Sequence, residues 1–170
     1  AQETTTARIG VLVYGNTHRH PAVLAKEIVT VDHISNGRAI LGIGAGWNER
    51  EHRAYSIPFP SAGDRVDMLD EALQVMESLF TQRRTTFHGT HYQLEDAPFA
   101  PKPVQAKLPV LIGGTRPKML KVIARHADLW DTSRDPAQLR EGLAQIAEHC
   151  AEIGRDPGEI AVSSSFGADR

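Results

Sequence analysis

Arg38-Ala39-Ile40-Leu41-Gly42-Ile43-Gly44-Ala45-Gly46-Trp47-Asn48-Glu49 is the stretch on which the reading of the fold turns. It opens as a short apolar run and closes with glycine at alternate positions. Glycine packs nothing and loses the most backbone entropy in a strand, so such a run predicts a strand that something else approaches closely. Asn36-Gly37 just before it is a helix-stop or turn signal, and Trp47-Asn48-Glu49 begins a polar loop. The C-terminal end of a buried strand is where α/β proteins place ligands, and here that end dissolves into glycine.

Upstream, Arg8-Ile9-Gly10-Val11-Leu12-Val13-Tyr14 reads as one buried strand closed by Gly15-Asn16. Pro21 suits a first helical position, and Leu24, Ile28 and Val31 follow at helical spacing up to Asn36-Gly37, completing a β-α-β unit. Downstream, residues 47–61 show no period and are read as an irregular loop. Ser61-Ala62-Gly63-Asp64 resembles a capping box ahead of a helix with Leu69, Leu73, Met76 and Phe80 on one face. Thr85–Phe87 and Tyr92–Leu94 flank His88-Gly89-Thr90 as a small hairpin.

Leu108–Ile112 is a further core strand, ending in Gly113-Gly114-Thr115, with Thr115 placed to cap a helix near Pro117. Asp128–Asp131 is a short strand. Asp135-Pro136 starts a helix with Leu139, Leu143, Ile146 and Cys150 on one face, stopped by Gly154; Glu159–Ser163 is the last strand. Five strands alternating with helices predict a parallel sheet with right-handed crossovers.

The 170 residues suffice for one domain with a core, and 41% hydrophobic with 24% charged content is ordinary for a globular chain. A formal charge of −2 argues against a nucleic-acid or membrane-surface role. A single cysteine, Cys150, allows no internal disulfide and suits a reducing compartment. With no apolar run of about 20 residues, no membrane span is expected, and cytoplasm is the expected location.

The chemical signals differ in weight. Gly42-x-Gly44-x-Gly46 lacks the dinucleotide spacing, and a polar loop follows it where a helix would be needed. Gly113-Gly114-Thr115 at a strand-to-helix junction is the better phosphate candidate, since free N–H groups and the helix dipole favour an anion there; an ordinary capped turn is the alternative. His18-x-His20 and His88-x-x-His91 lack a third metal ligand at sensible spacing. Glu49 and Glu51 beside His52 could do acid–base work or be solvated loop charges. Cys150 reads as core.

Asn16–Lys26, Asp32–Arg38 and Leu41–Trp47 strongly resemble the luciferase-like monooxygenases, and within them the subgroup using deazaflavin F420. Glu71-Ala72-Leu73, Pro101–Gln105, Val110–Gly114 and Ala127–Trp130 extend the likeness to about residue 160. The resemblance implies a partial (β/α)8 barrel, a single incomplete domain over residues 1–170, running from about the third strand to the seventh. It implies an oxidoreductase moving a hydride between F420 and a small organic substrate. An FMN-dependent monooxygenase and a shortened, non-catalytic flavin-binding protein are the alternatives. A nonproline cis peptide is expected near Val11-Leu12, backing the ring. Asn16 is expected at the rim, Gly46-Trp47 beside the ring or its side chain, and Gly113-Gly114-Thr115 on the phosphate. Where sugar-phosphate-oxidising members carry an acidic residue after the fourth-strand glycines, this chain has Trp47, so sugar phosphate is not implied. Acid–base residues are expected on strand ends outside this chain, and open sheet edges predict a homodimer, or else that the missing parts of the barrel belong to a longer intact protein.

Overall fold

The computed structural model describes residues 1–132 and 135–164. These fall into two compact units, Ala1–Leu108 and the described residues from Pro109 onward, taken in turn.

In the first unit the strand expected over residues 8–14 is broken. Strands β1 (Ile9–Gly10) and β2 (Tyr14–Gly15) both run parallel to β3 (Ala39–Gly44). Ile9 and Gly10 pair with Ala39 and Ile40; Tyr14 and Gly15 pair with Ile43 and Gly44. Three residues on the broken strand, Val11, Leu12 and Val13, therefore stand opposite only Leu41 and Gly42. They bulge out of the ladder and are exposed, although a run of apolar, largely β-branched residues reads as buried strand.

Helix α1 (Pro21–Ser35) begins with Pro at its first position and His20 as N-cap, whose Nδ1 accepts from the Ala22 amide at 3.2 Å. It ends at Asn36, which adopts the left-handed conformation at φ 55°, as Asn36-Gly37 foretells. Residues 49–54 are not loop but a short helix α2 (Glu49–Ala54), capped by Asn48, whose side chain accepts from the Glu51 amide. Six residues are too few to show a helical period, so the cap was the only signal. Helix α3 (Ala62–Thr81) starts at Ser61, whose hydroxyl accepts from the Asp64 amide at 3.2 Å. Its buried face includes Leu69, Leu73 and Met76. Strands β4 (Arg84–His88) and β5 (Gln93–Pro98) form the antiparallel hairpin.

The buried Asp32 carboxylate binds the first unit together. It accepts from the amides of Val104 (2.7 Å) and Gln105 (3.2 Å) and from Gln105 Nε2 (2.8 Å), which also donates to the Ala39 carbonyl. A buried carboxylate is tolerated only when its lone pairs are filled in this way.

In the second unit, β6 (Val110–Gly113), β7 (Leu129–Asp131) and β8 (Ala161–Ser163) are parallel neighbours. Gly113 is in register with Asp131, and Asp131 with Ser163. Helices α4 (Pro117–His126) and α5 (Pro136–Ile153) pack on each other. The buried stripe of α5 is Gly142, Ile146 and Cys150, while Leu143 is exposed. The reason is Trp130, fully buried: a Cβ on Gly142 would fall into its ring, so the helix turns a glycine inward where periodicity alone favours leucine. Among the described residues no helix is long and apolar enough to cross a membrane.

Candidate functional site

In the first unit the candidate surface is the bulge. Val11, Leu12 and Val13 are 43%, 58% and 36% exposed, and the nonproline cis peptide lies at Leu12–Val13, one residue beyond the expected position. The bulge is possible because of β3. A Cβ on Gly42 would fall on the carbonyl oxygen of Val11, far inside contact distance, and one on Gly44 would stand 3.1 Å from Val13 Cγ2. The glycines of β3 admit the neighbouring backbone, as their pattern suggests.

Asn16 begins a 3-10 turn (Asn16–His18) directly after β2 and is buried. Its Nδ2 donates to the Tyr92 hydroxyl at 3.2 Å, while Oδ1 has no partner among the described residues. Burial pushes the Tyr92 phenol above its ordinary range; the Asn16 bond pulls it partly back, and the charge of Glu71 adds to the rise. Glu71, on α3, holds the hairpin turn: its carboxylate accepts from the amides of Thr90 (2.8 Å), His91 (2.8 Å) and Tyr92 (3.1 Å). Burial works to raise the Glu71 pKa, but these three N–H groups outweigh it and the net shift is downward.

The Gly46-Trp47 segment is fixed from beneath. The fully buried His52 ring places Nδ1 2.7 Å from the Asn48 carbonyl and Nε2 2.6 Å from the Thr17 hydroxyl. A carbonyl only accepts, so Nδ1 carries a proton and donates to Asn48. Arg65 Nε donates to the Gly46 carbonyl at 3.2 Å, and its guanidinium lies 3.8 Å from the Phe59 ring centroid. Trp47 is left 85% exposed on this support. Glu49 pairs with Arg53 at 3.0 Å on the solvated face of α2, and Glu51 stands 3.9 Å from His18 Nε2. The acid–base candidates thus resolve into a helix-surface ion pair, a loosely engaged carboxylate and a structural histidine. His52 could have been suspected from sequence only by recognising α2.

In the second unit the glycine turn after β6 is held by Trp130, whose Nε1 donates to the Gly114 carbonyl at 2.8 Å. Gly114 has φ +124°, a conformation suited to glycine. Thr115 does not cap α4: the N-cap residue is Arg116, whose side chain makes no cap bond. With Pro117 at the first helical position, the chain enters the helix one residue later than the Thr115 cap requires. Pro117 has no N–H, and the amides of Met119 and Leu120 both donate to the Arg116 carbonyl, so what the start of α4 offers an anion is the positive end of its dipole and the charge of Arg116. The Asp131 carboxylate, in register with Gly113, works against an anion on the sheet side, so the favourable position is over the helix start.

The sequence matches the family model for luciferase-like monooxygenases over residues 1–168, and the chain belongs to that family. It is 32% identical over 181 aligned positions to the F420-dependent glucose-6-phosphate dehydrogenase of Kineococcus radiotolerans, a match covering 99% of this chain and 52% of that protein. It is 28% identical over 110 positions to the FMNH(2)-dependent dimethylsulfone monooxygenase of Pseudomonas putida, covering 65% of this chain and 30% of the other. An F420-dependent secondary alcohol dehydrogenase, solved with an F420-acetone adduct, superposes with a TM-score of 0.84 at 27% identity over 96% of this chain and 50% of that one. The chain spans about half the length of the curated relatives it matches. Its fold class is that of a partial (β/α)8 barrel of the luciferase-like type, and its family is one of oxidoreductases with both F420-dependent and FMN-dependent members.

Proposed function

We propose that this chain carries cofactor-binding elements of an F420-dependent oxidoreductase that moves a hydride to or from a small organic substrate. The observation that carries the reading is the exposed bulge Val11–Val13, a solvent-facing apolar backbone at the end of a parallel strand, made possible by Gly42. A flat heterocycle is the ligand such a surface suits. Bound F420 would supply the hydride chemistry.

The chain's own residues then divide the work. Val11, Leu12 and Val13 back the ring and keep water from that face. Asn16, its amide fixed by Tyr92, offers the unpaired Oδ1 to a ring donor. Gly46 and Trp47 flank the ring or its side chain. Gly113, Gly114 and Thr115, with the uncapped start of α4, take the phosphate. No residue of this chain is assigned as the catalytic acid or base. F420 is preferred to FMN because the F420-dependent relative aligns over nearly the whole chain, the FMN-dependent one over about two thirds.

The test is a fluorescence titration of the protein with F420 and with FMN. Saturable F420 binding, with FMN bound more weakly, supports the reading; tight FMN binding with no F420 response replaces it with an FMN-dependent monooxygenase. Cofactor binding without turnover of any substrate in a panel of alcohols and ketones favours the binding-only flavoprotein reading. We further propose residues 1–170 as one cytoplasmic, homodimeric domain; sedimentation at the mass of a single 18.7 kDa chain removes the dimer.

A further inference from the structure

Asp131 Oδ1, Thr132 Oγ1 and Ser164 Oγ are out of contact with solvent and have no hydrogen-bond partner among the described residues. They belong to neighbouring strand ends. Asp131 is the last residue of β7, Thr132 follows it, and Ser164 follows the last residue of the adjacent strand β8. The strand ends are tied by the Thr132 amide donating to the Ser163 carbonyl at 3.1 Å. Buried polar groups in proteins are nearly always paired, so three unpaired atoms on two neighbouring strand ends mark a place built for something else. The C-terminal ends of parallel strands are where ligands meet α/β proteins.

The donor set defines the ligand. An ionised carboxylate accepts and never donates, while the two hydroxyls do either. We propose that the ends of β7 and β8 form a subsite for a neutral or cationic small molecule presenting a hydroxyl or amine donor, with Asp131 the principal contact. An anion meets the Asp131 charge instead, and is rejected. Only in calling this molecule the substrate does the inference rest on the oxidoreductase reading above. It then specifies a substrate class: hydroxy or amino compounds without a phosphate or carboxylate at this end.

The experiment uses the full chain, labelled with ¹⁵N, and three probes: 1-amino-2-propanol, propane-1,2-diol and inorganic phosphate. The amides of Asp131, Thr132 and Ser164 should shift saturably with the amino alcohol and the diol, the cation binding at least about fivefold more tightly, and not with phosphate. Asp131→Asn should abolish the preference for the cation while leaving the diol bound. The same variant should not lower the thermal midpoint, because Asn keeps the shape of the side chain and Asp131 Oδ1 has no hydrogen bond to lose. A residue with a merely structural role would lower it. The proposal is overturned if neither organic probe shifts these amides, if phosphate shifts them equally, if Asp131→Asn keeps the cation preference, or if that variant destabilises the fold. Failure here alongside normal F420 binding removes the subsite and leaves the oxidoreductase reading. Probe binding without any cofactor response does the reverse.

Discussion

The glycines that end β3 and those that end β6 look alike in sequence and are there for different reasons. On β3, Gly42 faces the Val11 carbonyl so closely that any side chain collides with backbone. On β6, a Cβ at Gly113 would meet nothing nearer than the Asp131 carbonyl oxygen at 3.7 Å. The first glycine is explained wholly by its own fold; the second is not, and leaves room for a ligand. The same contrast holds for backbone donors. The amides of Thr90, His91 and Tyr92 are filled by the Glu71 carboxylate, whereas at the start of α4 those of Met119 and Leu120 go to the Arg116 carbonyl and the N-cap side chain adds no bond. The protein supplies a carboxylate in one place and only a backbone carbonyl in the other.

Gly42→Ala presses hardest on this comparison. The new methyl must displace the Val11 backbone, and the bulge, β1 and β2 move with it. We expect a loss of about 3 kcal/mol or more, at the upper end of what single substitutions cost. Urea unfolding monitored by Trp fluorescence measures it. A change below about 1 kcal/mol would mean the bulge is held by something other than the space at Gly42.

Gly114→Val tests the open end. At φ +124° and with Met119 Cγ 2.9 Å from the new Cβ, the turn must adjust, and the branched side chain obstructs the helix start. Cofactor affinity should fall at least about tenfold, some 1.4 kcal/mol, with the fold retained. Unchanged binding of both F420 and FMN to a folded variant places the phosphate elsewhere.

Glu71→Gln sharpens the closed end. Glutamine keeps one acceptor but loses the charge facing three N–H groups, for an expected cost of about 1 kcal/mol at pH 7. The sign with pH follows from the lowered folded-state pKa: the ionised Glu71 stabilises the fold above its unfolded value of 4.5, and that contribution disappears as pH falls through the folded value. The gap between the parent protein and the Glu71→Gln variant should therefore close below about pH 4. Thermal midpoints at pH 7 and pH 3.5 measure both, and a gap that persists in acid means the carboxylate charge is not what holds the turn.

What the sequence made legible was the part governed by local rules. Pro21, Asn36, Ser61, Asp135 and Gly154 end or begin their helices where capping chemistry puts them. The bulge was not legible in the residues alone, because Val11-Leu12-Val13 has the composition of a buried strand and only its pairing partner, Gly42, makes it leave the sheet; the family resemblance put a cis peptide within one residue of where it lies. The Thr115 cap was misplaced because two candidate starts stood next to each other and Pro117 selected the later. The motifs that carry the family resemblance proved partly structural. Asp32 and Gln105 bond to each other across 73 residues, a pairing no local rule could show. Asp131, Thr132 and Ser164 left no signal beyond their position at strand ends, since an unpaired atom is visible only when its surroundings are.

Gly113→Ala is the smallest expected effect and the most direct comparison with Gly42→Ala. The backbone at Gly113 is not in the left-handed region, and the new methyl has no close neighbour, so alanine enters without strain. Alanine also narrows the unfolded ensemble, which offsets any small loss of packing freedom. The stability change should stay within about 0.5 kcal/mol in either direction. If instead the variant is destabilised as strongly as Gly42→Ala, the two strand ends are glycine for the same reason and the open cradle on β6 is an error. Cofactor affinity gives the second reading of the same variant. A loss matching Gly114→Val puts the phosphate against the sheet side of the turn, beside Asp131, where the carboxylate should oppose it. An affinity within about twofold of the parent, alongside a tenfold loss for Gly114→Val, puts it over the start of α4, where Arg116 and the positive end of the helix dipole lie.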